Sequence, residues 1–173
     1  MADRPRADES DPSVRLSHVA PPEQGGEARM VDVGGKPHTR RRALARALLR
    51  FPAGVLERAL AGAGPKGPIR EVARVAGIQA AKRTAEWIPM CHALALEHVE
   101  IAFATPAADL LEVRCSVACS APTGVEMEAL VGASAAALTV YDMTKALSKG
   151  IVIERVELLE KDGGRSGAWR REP

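Results

Sequence analysis

Aromatic residues are scarce: Phe, Trp and Tyr together make up 3% of the chain. So few rings cannot build the stacking platforms of single-stranded nucleic acid binders. Cysteine is nearly as sparse. Cys91, Cys115 and Cys119 are odd in number and form no CxxC pair, which counts against a disulfide framework and favours free thiols in a reducing compartment. Cys115 and Cys119, with three residues between them inside an expected strand, make no usual zinc knuckle either, so no metal is expected. No apolar run approaches the ~20 residues of a membrane span, and the longest uncharged stretch, 129–141, is far shorter. The start, Met1-Ala2-Asp3-Arg4-Pro5-Arg6, lacks the apolar core of a secretory signal, and a cytoplasmic protein is expected. A phosphate-binding GxxxxGK[ST] loop is also missing. Charge is nearly balanced at +2, so no polyanion partner is required.

What is present suits one globular domain. At 173 residues and 46% hydrophobic content, the chain can bury a real core. Residues 1–29 are polar and rich in Asp, Glu, Pro and Gly, and read as a disordered leader. The single domain is expected over 30–168, with 169–173 a flexible tail. Residues 39–51 fit two templates. As a strand, Ala43, Ala45, Ala47, Leu49 and Phe51 share one face and Arg42, Arg46 and Arg50 the other; as a helix the same arginines form one stripe. Pro52 opens a short helix to about Gly62, and a second runs from Pro68 to Trp87 until Pro89 stops it. Residues 97–105 and 110–119 alternate as paired strands joined by a turn over 105–109. A long helix, capped near Thr123, is expected to reach Lys149 before Gly150, and a last strand runs from Ile151 to about Glu160. With 39–51 as a strand, the order is that of the split βαβ, ferredoxin-like α+β sheet: antiparallel strands, helices on one face, and one extra helix. The other sheet face would then need a partner.

The chemistry-bearing residues bracket the long helix. Thr123-Gly124-Val125-Glu126-Met127-Glu128 opens it and Tyr141-Asp142-Met143-Thr144-Lys145 closes it, with no charge between. Glu128 and Asp142 fall within roughly 40° of one another around the axis yet about 21 Å apart along it, so one helix cannot bring both to one small substrate. Asp142 and Lys145 read equally as an ordinary ion pair or as groups poised for proton transfer. Glu126 and Glu128, roughly 200° apart, read most simply as acids at a helix N-terminus. His92 follows Cys91 in a turn, where a satisfied histidine is commoner than a catalyst. Lys66-Gly67 precedes a helix N-terminus, a setting that attracts phosphate. Gly163-Gly164-Arg165-Ser166-Gly167 reads as an anion nest or a flexible turn.

Taken in order, the strings Met30-Val31-Asp32-Val33, Lys66-Gly67, Ala76-Gly77-Ile78-Gln79-Ala80-Ala81-Lys82-Arg83-Thr84, Ile88-Pro89-Met90-Cys91-His92, the two halves of the bracket and Gly163-Gly164-Arg165-Ser166-Gly167 resemble one family. It is the cyclic pyranopterin monophosphate synthases, the C protein of molybdenum cofactor biosynthesis. The resemblance spans about residues 30–168. It implies a lyase that converts 3′,8-cyclo-7,8-dihydroguanosine triphosphate to cyclic pyranopterin monophosphate with release of pyrophosphate. It further implies a ferredoxin-like fold, the strand reading of 39–51, and a homohexamer built as a trimer of dimers with sites at dimer interfaces; neither cofactor nor metal is implied. On this resemblance Asp142, Lys145 and Lys66 are catalytic. Met90, Cys91, His92, Glu126, Met127 and Glu128 lie in substrate-binding segments, and Lys36 and Arg41 are basic residues lining the site. Ala93, Thr144 and Arg165 stand where Pro, Cys and Lys are common. The residue types suit the reaction: cations for a triphosphate, and an Asp, a His and a Lys with lowered pKa for proton transfers. The competing reading is a non-catalytic oligomeric module that binds a nucleotide or RNA, supported by Arg40-Arg41-Arg42 and the basic stretch before Trp87.

Overall fold

Acidic neighbours on both sides decide the arginine-rich segment. In the computed structural model it is a strand, β1 (Thr39–Arg50), with Ala43, Ala45, Ala47 and Leu49 buried and Arg42, Arg46 and Arg50 on the opposite face. Arg46 pairs with Glu157 at 2.7 Å, and Arg50 pairs with Asp109 at 3.0 Å and Glu154 at 2.9 Å. These partners and the burial of small apolar residues override the helix propensity of Ala and Leu.

The structure describes residues 27–62 and 67–172; the leader through residue 26 and Lys66 lie outside them. Two compact units divide the chain, Met1–Asp32 and Val33–Pro173, and residues 27–32 of the first carry no helix or extended strand. The second unit holds a five-stranded antiparallel sheet in the order β2-β3-β1-β4-β5, where β2 is His98–Ala107, β3 Leu110–Ala121, β4 Val152–Asp162 and β5 Trp169–Arg170. Its helices are α1 (Val55–Leu60), α2 (Ile69–Lys82), α3 (Thr84–Trp87) and α4 (Glu126–Thr144). The order β1-α2-β2-β3-α4-β4 is the ferredoxin-like one. Helices α2 and α4 cover the sheet, and α1 is the additional helix.

Several boundaries differ from the sequence reading, each for a local reason. The Pro68–Trp87 helix breaks at Arg83 (φ −116°), where the buried Thr84 hydroxyl donates to the Ala81 carbonyl at 3.0 Å. Val125, not Thr123, precedes the first turn of α4, and no side chain caps it. The same helix ends at Thr144 rather than Lys149, because the chain must turn back to bury Ile151 in the core. Ala107 pairs directly with Leu110, which shortens the hairpin turn to Ala108–Asp109. The expected flexible tail contains a strand, since Trp169 and Arg170 pair with Lys161 and Glu160 of β4. Finally, charged side chains occupy much of the outer sheet face. It is crossed by ion pairs from Arg114 through Glu112, Arg46 and Glu157 to Arg155 and Arg171.

On the covered face, α2 and α4 meet at Gly77 and Gly132. A Cβ on Gly77 would lie 2.8 Å from the Ile101 side chain and 2.9 Å from the Gly132 carbonyl oxygen; one on Gly132 would lie 2.6 Å from Cys115 Sγ. Only hydrogen fits at this crossing. Alanines 129, 133, 136 and 137 continue the close contact along α4 onto the sheet. Overpacking of this kind costs roughly 1–3 kcal/mol. Gly77→Ala is expected to lower the thermal midpoint by a few degrees, about 2–4 °C per kcal/mol for a chain this long, as followed by circular dichroism. An unchanged midpoint would show that the crossing tolerates a methyl group.

Candidate active site

Two acids at the head of α4 have opposite surroundings. Gly124 has no side chain, and the Glu126 carboxylate occupies the space a Cβ there would take. The Lys161 ammonium lies 3.9 Å from that carboxylate. Two residues on, Glu128 turns inward and is 4% exposed. Burial pushes its carboxyl up to about 7, with a bond from its own backbone N–H opposing and the Glu126 charge adding to the rise. The dipole reading of these acids therefore fails for Glu128, because desolvation outweighs the helix terminus. A carboxyl in this range can give or take a proton near neutral pH.

Glu128 borders a cavity of about 100 Å³ together with His92, Ala93, Leu94 and the α2–α3 junction at Lys82–Glu86. His92 is placed there by the turn after Pro89, closed by the Cys91 N–H donating to the Ile88 carbonyl at 3.0 Å. Burial raises the Cys91 thiol, and the charge of Glu128 raises it further. Cys119 behaves alike, with burial first, then Glu128 and Glu97, and Arg41 opposing. Both remain thiols, poor nucleophiles but good apolar walls. Met90 and Met127 are half-buried beside their neighbours in the chain.

Arg41 braces the entry to α4. Its Nε donates to the Ala121 carbonyl and its Nη2 to the Pro122 carbonyl, each at 3.1 Å. Gly163 (φ +105°) and Gly164 (φ +76°) pack against the Arg40 carbonyl and the Arg41 guanidinium, where no side chain would fit. The Gly-rich segment is thus a shaped loop rather than a loose turn. Sequence reasoning passed over Lys161. Lys161 lies opposite the inward-facing Ala43, a register that only the paired strands show.

The far end of α4 is separate. Lys145 Nζ and Asp142 Oδ1 are 2.7 Å apart, and both side chains are 52% exposed. The hydrogen bond to Asp142 and its charge raise Lys145 above its ordinary value. The lowered lysine expected from sequence is therefore not found in the single chain, because the pair is wet rather than desolvated. The unbroken helix keeps these residues about 21 Å from Glu128 along its axis. Asp142 instead borders an open groove of about 450 Å³ with Gln79, Arg83, Trp87 and Leu138. Lys36 is exposed on the turn before β1. Among the described residues no group of three or more His, Cys, Asp or Glu is placed to hold a metal ion, and no helix is long and apolar enough to cross a membrane.

Fold and site together define a ferredoxin-like α+β protein with an acid, imidazole and thiol cluster at the head of its long helix. Residues 30–164 match the MoaC family. The chain is 52% identical over 160 residues to the cyclic pyranopterin monophosphate synthase of Thermomicrobium roseum, covering 92% of this chain and 95% of that protein. It is 50% identical over 159 residues to the synthase of Chloroflexus aggregans, with 91% and 94% covered, and 50% identical over 155 residues to that of Novosphingobium aromaticivorans, with 90% and 96% covered. The chain belongs to the MoaC family.

The buried acid has a consequence for stability. Its folded value of about 7 exceeds the ordinary 4.5, so between those values the folded state holds more protons than the unfolded one and stability falls as pH rises. Each unit of such a shift is worth ~1.4 kcal/mol. Glu128→Gln is expected to unfold at a higher midpoint than the parent at pH 8, with the advantage vanishing toward pH 4.5. Thermal melts across that range check it. A constant difference at all pH values would mean that Glu128 is not charged at a cost in the fold.

Proposed function

We propose that this chain is a cyclic pyranopterin monophosphate synthase, a lyase of molybdenum cofactor biosynthesis. It acts on 3′,8-cyclo-7,8-dihydroguanosine triphosphate and releases pyrophosphate. The observation that carries the reading is Glu128: a carboxyl poised near pH 7 beside His92, within the chain's match to relatives bearing that name. A non-catalytic nucleotide-binding module has no use for such a group and is not favoured. In this reading Glu128 and His92 exchange protons with the purine-derived rings. Lys36, Arg41 and Lys66 supply positive charge for the triphosphate, and Lys161, which faces Glu126, adds to it. Met90, Cys91 and Met127 form the apolar wall.

Asp142 and Lys145 act from a neighbouring subunit, at the interface of a dimer within a trimer of dimers. What supports this is the separation along α4 and the apolar groove beside Asp142, where Trp87 and Leu138 are 55% and 53% exposed. A second copy seated there would remove water from the Asp142–Lys145 pair. Desolvation of that kind lowers a lysine, restoring the acid–base behaviour the isolated chain lacks. The three free cysteines suit a cytoplasmic setting.

Purified protein given the cyclic triphosphate is expected to yield the cyclic monophosphate and pyrophosphate, and Lys145→Ala to lose ~10²–10⁴-fold in kcat while staying folded. Mixing Lys145→Ala with His92→Ala subunits, each inactive alone, is expected to restore part of the activity after subunit exchange. Mixed oligomers that form, as seen by native mass spectrometry, but stay inactive would place both residues in one chain's site.

A further inference from the structure

One side chain ties the C-terminal strand to β4. The Arg171 backbone N–H donates to the Leu159 carbonyl at 2.8 Å, and its Nε donates to the Leu158 carbonyl at 2.8 Å. The same nitrogen lies 3.3 Å from Glu157 Oε2, and the guanidinium sits 5.7 Å from the centre of the Trp169 ring. Burial opposes ionisation of Glu157, but Arg46, Arg171 and Arg155 outweigh it and hold its carboxyl below the usual range. Arg171 thus anchors on a fixed anion and two carbonyls of β4. It lies beyond the segment 30–164 that matches the family.

This anchor closes a hairpin whose loop belongs to the site. Trp169 pairs with Lys161, the residue whose ammonium faces Glu126. Between them, Gly167 N–H donates to the Gly164 carbonyl at 3.3 Å, and Gly163 and Gly164 hold positive φ against Arg40 and Arg41. Positive φ costs glycine little, but glycine is also the residue that loses most freedom on ordering. A loop with three such glycines, Gly163, Gly164 and Gly167, keeps one shape only if both ends are fixed. One end is β4, and the other is β5, two residues long. Two paired residues hold little by themselves; Arg171 supplies the rest.

We infer that Arg171 is a positioning residue, locking the C-terminal strand so that the Gly163–Gly167 loop and Lys161 stay set against Arg41 and Glu126 for binding the substrate's anionic groups. The inference rests on the synthase reading for its substrate, while its structural half stands apart from it. Arg171→Ala is expected to raise KM for the cyclic triphosphate about tenfold, with kcat within twofold and the thermal midpoint nearly unchanged. Deletion of residues 169–173 is expected to raise KM at least as far. Trypsin cleavage after Arg165, followed by mass spectrometry without substrate, is expected to accelerate in both variants. An unchanged KM in the deletion variant, or kcat falling with KM unmoved, overturns the inference. If the unaltered chain makes no product, the synthase reading fails instead, and the cleavage rate still decides whether Arg171 orders the loop: faster cleavage upholds it, an equal rate overturns it.

Discussion

The crossing of α2 and α4 at Gly77 and Gly132 sets the depth at which everything else sits. With hydrogen in place of side chains, the two helices approach each other and Cys115 beneath them closely enough that α4 presses its alanines onto the sheet. That depth buries Glu128 at one end of α4, and it brings the α2–α3 junction next to His92 to close the small cavity. A larger residue at the crossing would lift one helix from the other, so packing and site chemistry share one geometric condition.

The two ends of α4 carry ionisable groups with opposite electrostatic histories. Glu128 is desolvated by its own chain and rises toward neutrality, whereas Asp142 and Lys145 remain in water and hold each other charged. A helix with an uncharged middle can serve both states only because its length separates them. The first end is desolvated within the subunit. The second acquires the dry surroundings that shift a lysine only when another surface covers it. Ion pairs cross the outer sheet face, while the apolar exposure at Trp87 and Leu138 lies on the helical side.

Much of the site was legible because its residues sit in contiguous strings. Met90-Cys91-His92 and Glu126-Met127-Glu128 were assigned by the family resemblance, since type and spacing alone favoured a turn histidine and helix-terminus acids, and the structure gathers His92, Cys91 and Glu128. Lys161 escaped because its role depends on facing Glu126 at the head of α4 from strand β4, a relation no local spacing encodes. Arg171 escaped for the same reason, since a charged residue near the end of a Gly-rich segment looks like tail until its carbonyl partners on β4 are seen.

By itself the sequence determined most of the helices and strands after Pro52 and the fact that Glu128 and Asp142 cannot meet along one helix, while the ferredoxin-like topology stayed conditional on reading 39–51 as a strand. These depend on periodicity and rise per residue, which are local properties of the chain. Only the tertiary structure decided that residues 39–50 are a strand, that Glu128 rather than Lys145 is moved toward neutrality, and that the C-terminal residues are anchored. Each of those outcomes turns on which distant groups exclude water from a side chain or pair with it. Propensity and spacing carry no information about such neighbours.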